Sequence, residues 1–178
     1  MKTTFTLLCF FSLSMLLCGC PYSSPYSLDD APTIYVEDNL LGKWATFVKK
    51  PGSQKEEPVK LILGRKTDTE YSIAFTGYLD ELKKYGVVKS DSITGTAFMS
   101  TVGDYQFLNI NIQNRVYVTQ FIVKKNETIS ILPLVEHFTS KMVSNAQGLR
   151  TAVDYHYKMR VHPMIDEEFC LRNMVRVN

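Results

Sequence analysis

Cysteine is nearly absent from the body of this 178-residue chain. Four are present, which at first suggests two disulfides, but Cys9, Cys18 and Cys20 crowd the start and Cys170 stands alone. A single thiol builds no internal disulfide framework, so the fold must rest on its core. Neither sign of charge dominates: 20 Lys and Arg stand against 18 Asp and Glu. That balance argues against nucleic acid as a partner, because such binding leans on net positive charge. After the first twenty residues no apolar run approaches the ~20 residues a membrane-spanning helix needs. Catalytic signatures are missing as well. There is no Gly-x-Ser-x-Gly elbow, no Walker-type glycine loop and no Gly-x-Gly-x-x-Gly fingerprint. His137 follows Glu136 without a second His four residues on, so the zinc-protease spacing fails. No enzyme is expected. What is present, 45% hydrophobic and 12% aromatic, excludes disorder of the whole chain and fits one domain.

The apolar run that does exist is N-terminal. Residues 5–17 are interrupted only by Thr6, Ser12 and Ser14, and Lys2 precedes them. The stretch is too short to span a bilayer and fits the h-region of a secretory leader. Leu17-Cys18-Gly19-Cys20 then resembles the bacterial lipobox, with Leu17 three residues before Cys20 and the small Gly19 one before it. Cys18 would place bulky Leu17 where a small residue is required, so Cys20 is the expected acceptor. The resemblance implies a signal peptide at residues 1–19 cleaved before Cys20, diacylglycerol on its sulfur and an acyl chain such as palmitate on its amine. Two or more chains anchor stably where one does not. This covalent lipid is the only cofactor expected, and the membrane is the expected partner through it. Pro21 stands where an inner-membrane retention signal would carry Asp. By resemblance to lipoprotein sorting in Gram-negative cells, this implies the outer membrane.

Pro21, Pro25 and Pro32, among small polar residues, suggest a flexible tether over residues 20–36. Residues 37–178 then read as a single, mainly β domain. Trp44, Thr46 and Val48 share one face, as do Val59, Leu61 and Leu63, and Tyr71, Ile73 and Phe75. Leu108, Ile110 and Ile112 alternate with Asn109, Asn111 and Gln113, the pattern of a half-buried strand. Residues 116–123 and 128–132 continue as strands. Pro51-Gly52-Ser53, residues 64–68, Val102-Gly103-Asp104 and Asn126-Glu127 supply turn chemistry. Short strands joined by such turns form an antiparallel meander, since parallel pairs need longer crossovers. Val135, Phe138 and Met142 then recur at helical spacing. Ser144 to Gln147 matches a capping box ahead of a stripe through Leu149, Ala152, Val153, His156 and Tyr157. One or two helices are expected within residues 134–159, Pro163 ends that region, and residues 168–177 return as a strand.

Asn39-Leu40-Leu41-Gly42-Lys43-Trp44 resembles the Gly-x-Trp opening of lipocalin-like barrels. The resemblance implies an antiparallel barrel of seven or eight strands plus the C-terminal helix, in which Gly42 lets the chain enter closely and Trp44 closes the base. It also implies an arginine near the chain end stacked on that Trp, a role open to Arg172 and Arg176. Gly103-Asp104-Tyr105 is similar to the family's Thr-Asp-Tyr turn, though an ordinary hairpin accounts for it. The whole pattern is similar to small bacterial lipoproteins with a lipocalin-like sheet and C-terminal helices.

The remaining candidates read as structural. His156, His162 and the Asp166-Glu167-Glu168 run match no standard metal spacing, so no metal is expected. Cys170, between Phe169 and Leu171, reads as a small core hydrophobe. Lys49-Lys50, Lys83-Lys84 and Lys124-Lys125 read as solvated strand and loop ends. Two functions fit. The first is binding of a small apolar ligand inside the barrel, favoured by the aromatic content. The second is a non-catalytic envelope module with a filled core, docking a partner protein through faces carrying Tyr117, Tyr155 or Tyr157. Eight strands are just wide enough for either.

Overall fold

The computed structural model describes residues 23–49, 56–77, 91–124, 127–135, 143–160 and 165–177. The leader with Leu17, Gly19 and Cys20, the Pro51-Gly52-Ser53 turn, Lys83-Lys84, Asn126, the stretch with His137, Phe138 and Met142, and both His162 and Pro163 lie outside them.

Alternating side chains build the strands. β1 (Ser23–Ser24) is followed by β2 (Gly42–Lys49), β3 (Glu56–Arg65) and β4 (Tyr71–Thr76). These three bury Trp44, Val59, Leu61, Leu63, Tyr71 and Ile73 on one face and turn Lys43, Lys60 and Ser72 outward. β5 (Ser92–Val102), rich in Ser and Thr, has no counterpart among the expected strands. Its Gly95 permits a close crossing, because a Cβ there would stand 2.2 Å from the Asn111 carbonyl oxygen. β6 (Tyr105–Ile112), β7 (Arg115–Val123), β8 (Ile129–Pro133) and β9 (Leu171–Val177) complete the set. The β6–β7 turn uses Gln113 and Asn114, both at positive φ, the geometry whose twist suits a two-residue hairpin.

The strands close into an eight-stranded antiparallel barrel. Each of β2 to β9 pairs with the next, and β9 returns to β2 with Trp44 directly opposite Arg176. β1 is the extra strand. β8 covers β7 from Thr119 onward, and β1 pairs with Tyr117 and Val116, the stretch that β8 leaves bare.

β6 departs from its half-buried expectation. Phe107, Leu108, Asn109 and Ile110 are all buried, because a second layer covers the outer face of β5 to β7. That layer is the helix α1 (Ala146–Met159) together with the N-terminal segment. Leu28, Val102, Phe107, Val118, Leu149, Val153 and Tyr157 form its core. Fully burying each large apolar side chain here contributes about 1.5–3 kcal/mol.

The stretch expected as a free tether is docked from Ser23 on. The Leu28 amide donates to the Asn109 Oδ1 at 2.8 Å, and the Asn109 Nδ2 donates to Ser100 Oγ at 2.8 Å. Asp29 pairs with Arg150 of α1 at 2.6 Å. The capping box at Ser144 is also corrected. The N-cap is Asn145, whose side chain accepts from the Gly148 amide at 2.7 Å. The helix ends at Arg160, in the left-handed region. Every described element and both apolar clusters fall within residues 23–177.

Candidate functional site

The barrel interior and its two ends are where a small ligand would meet a fold of this kind. Its base is plugged by residues 36–41, which include a 3-10 turn at Asp38–Leu40. Four side chains hold the plug by its backbone. The Trp44 indole N–H donates to the Leu40 carbonyl at 2.9 Å, and the Glu37 amide donates to the Tyr71 hydroxyl at 3.0 Å. Burial pushes the Tyr71 hydroxyl above its ordinary value, so it stays a neutral phenol. Arg65 donates to the Val36 carbonyl at 3.4 Å and also reaches the Asp38 carboxylate at 2.6 Å, an exposed pair of small energetic weight.

Arg176 is the fourth. Its guanidinium carbon lies 4.6 Å from the Trp44 ring centroid, while its two terminal nitrogens donate to the carbonyls of Leu41 and Asn39. The open choice between the two arginines is therefore settled by position. Arg172 holds Glu167 instead, 2.8 Å from both carboxylate oxygens. Gly42 sits at φ +132, and a Cβ there would stand 2.6 Å from the Arg176 Nη1. Gly42 thus serves both the backbone turn and the passage of Arg176.

Above the plug, side chains from all eight barrel strands meet in one buried cluster. Trp44, Leu61, Tyr71, Met99, Phe121 and Met174 are among its members, each at most 2% exposed. At the opposite end four inward residues, Phe75, Ile112, Tyr117 and Leu171, pack against this cluster but stay half-buried. Tyr117 therefore belongs to the inside, and Tyr157 is 7% exposed beneath α1, with its ring 4.5 Å from that of Tyr105. Of the three tyrosines considered for docking, Tyr155 alone is exposed.

Outside the barrel, an open cleft of about 270 Å³ lies between Val102 and Gly103 of the β5–β6 turn and Gln147, Arg150, Thr151 and Asp154 of α1. Its charges are already engaged: Arg150 with Asp29 and the Thr101 carbonyl, Asp154 with Lys158 at 2.7 Å. Cys170 is half-buried, with its thiol 3.1 Å from the Asp166 carbonyl. Burial pushes that thiol up to about 11, which leaves little thiolate at neutral pH. Among the described residues no three His, Cys, Asp or Glu side chains gather as metal ligands, and no helix is long and apolar enough to cross a membrane.

The plug roles of Arg65 and Tyr71 escape a sequence reading. Tyr71 looks like any inward strand residue, and the partners of Arg65, Val36 and Asp38, lie where the expected tether meets the domain, ahead of the first expected strand. Comparison with known protein families, curated proteins and solved structures gives no match.

Proposed function

We propose that this chain is a lipid-anchored, non-catalytic lipoprotein of the bacterial cell envelope, held in the outer membrane by acylated Cys20, whose lipocalin-like barrel is a filled structural or docking module. One observation carries the choice of a filled module over a ligand carrier. Buried side chains from every barrel strand meet in a single cluster above a hydrogen-bonded plug. Eight strands enclose a space that side chains can fill, and here they supply Trp, Tyr, Phe and Met to do so.

A second reading keeps the apolar ligand. It draws on the half-buried ring of Phe75, Ile112, Tyr117 and Leu171 at the end opposite the plug, a seat for the end of an acyl chain rather than for a whole molecule inside. Native mass spectrometry of the full chain isolated from membranes separates the two. The filled module gives one mass, that of the lipidated protein alone, whereas a stoichiometric co-purified lipid favours the ligand carrier. Metabolic labelling with palmitate tests the anchor: wild type incorporates label and Cys20→Ser does not. Undiminished labelling of Cys20→Ser removes the lipoprotein reading.

A further inference from the structure

The second layer covers β5 to β7, and the outward side chains of β9, β2 and β3 are left exposed. Phe47, Ile62 and Val175 are 69%, 42% and 52% exposed there. Lys43 stands directly opposite Ile62, while Lys60 and Val175 flank Ala45 from its two neighbouring strands. Lys49 lies on the same outward row of β2 as Lys43 and Phe47. Cationic and apolar side chains thus alternate across three neighbouring strands. Lys43, Lys49 and Lys60 are exposed and have no hydrogen-bond or ion-pair partner among the described residues. Glu56, opposite Lys49, is the one acidic side chain on these rows among the described residues.

We infer that this face rests on an anionic bilayer surface. The chemistry matches on both counts. Lysine stems lie along apolar surface and carry their ammonium groups to the level of lipid phosphates, while Phe47, Ile62 and Val175 enter the headgroup boundary. The convex outer wall of a barrel suits a fluid surface better than a peptide.

The docked N-terminus supplies a second argument, which rests on the lipoprotein reading above. Cys20 is three residues from Ser23, and Ser23 is already paired with Tyr117. Three residues reach ~10 Å at most. The anchor therefore leaves the barrel beside the β7 edge, three strands round the eight-stranded wall from β2. A leash this short holds the barrel wall within reach of the headgroups and raises its effective concentration there.

The test separates this face from the anchor. The chain from Pro21 to Asn178 keeps every described element and both clusters but lacks the leader and Cys20. Its co-sedimentation is measured with vesicles of phosphatidylethanolamine and phosphatidylglycerol, and with vesicles of phosphatidylcholine alone. Binding is expected to the anionic vesicles and to fall with added salt. The triple variant Lys43→Gln, Lys49→Gln, Lys60→Gln should lose on the order of 100-fold in partitioning, and Phe47→Ala about tenfold. Lys158→Gln, on α1, should bind as wild type, and the near-ultraviolet signal of buried Trp44 shows that each variant is folded. Equal binding to both vesicle types, no binding, or a triple variant as good as wild type overturns the inference, including in favour of a protein partner at this face. Palmitate labelling of the full chain is read independently. Labelling at Cys20 without vesicle binding defeats this inference alone, and vesicle binding without labelling defeats the anchor alone.

Discussion

Arg176 stands opposite Trp44 across the β9–β2 seam, with its guanidinium 4.6 Å from the indole centroid and its nitrogens on the carbonyls of Leu41 and Asn39. One side chain thereby joins the last strand, the first barrel strand and the base plug. Arg176→Ala should cost about 1–2 kcal/mol, the sum of a cation–π contact and charge-assisted hydrogen bonds discounted for an exposed site. Arg176→Lys should lose most of the same, because an ammonium cannot hold two carbonyls while lying flat on a ring. Urea unfolding followed by Trp44 fluorescence reads both. A lysine variant as stable as wild type would show that charge alone closes the barrel.

Gly42 and Arg176 should be energetically coupled. In Gly42→Ala the new Cβ meets Arg176 Nη1 at 2.6 Å and the backbone stays at φ +132, two penalties with separate origins. The substitution should cost about 2–3 kcal/mol in wild type and about 1 kcal/mol less in Arg176→Ala, where the backbone strain alone persists. A double-mutant cycle by urea titration measures the difference. Strict additivity would mean that the close approach of Arg176 carries no energy.

Asn109 is the peg that fastens the N-terminal segment. Asn109→Leu removes the acceptor for the Leu28 amide and the donor to Ser100, so a buried N–H loses its partner. The expected cost is about 1–3 kcal/mol, with the damage concentrated at the segment rather than spread over the barrel. Limited proteolysis should then cut within residues 23–30 while the barrel persists, and amide exchange at Leu28 should rise. An uncut segment in a folded Asn109→Leu variant would place its hold elsewhere, in the Asp29–Arg150 pair or the burial of Leu28.

Much of the barrel was legible in residue order. Alternation at Leu61, Leu63, Tyr71 and Ile73 located strands because their inner face is buried and their outer face is not. The Gly42-x-Trp44 pair located the closure because no other Trp competes for it. The failures share one physical cause, which is covering by distant segments. Asn109 looked like the wet face of β6 because its partner, Leu28, lies 81 residues away. β5 escaped because Ser100 is buried under that second layer, where a polar residue breaks the expected alternation. The arginine choice turned on which side chain reaches the plug. Arg172 and Arg176 are spaced for the same strand face, but Asn173 adopts a positive φ between them and Glu167 captures the first.

Cys170 should behave as a buried thiol rather than a reactive one. In the chain from Pro21 it is the sole cysteine, so alkylation reports on it directly. Burial raises it from 9.0 to about 11, so at pH 8 the folded chain holds on the order of 100-fold less thiolate than the unfolded chain. Iodoacetamide should therefore modify the native protein far more slowly than the protein in urea, and equal rates would contradict the burial. The same shift fixes the sign of a stability effect. The unfolded thiol loses its proton first, so Cys170 stabilises the fold fully below about pH 9 and ever less as the pH climbs towards 11. Tyrosines and lysines titrate in the same window, so the comparison must be with Cys170→Ala. Between pH 8 and 11 the melting temperature of wild type should fall more steeply than that of Cys170→Ala, because the variant has no thiol to ionise. Parallel curves would mean that the thiol ionises as freely in the folded chain as in the unfolded one.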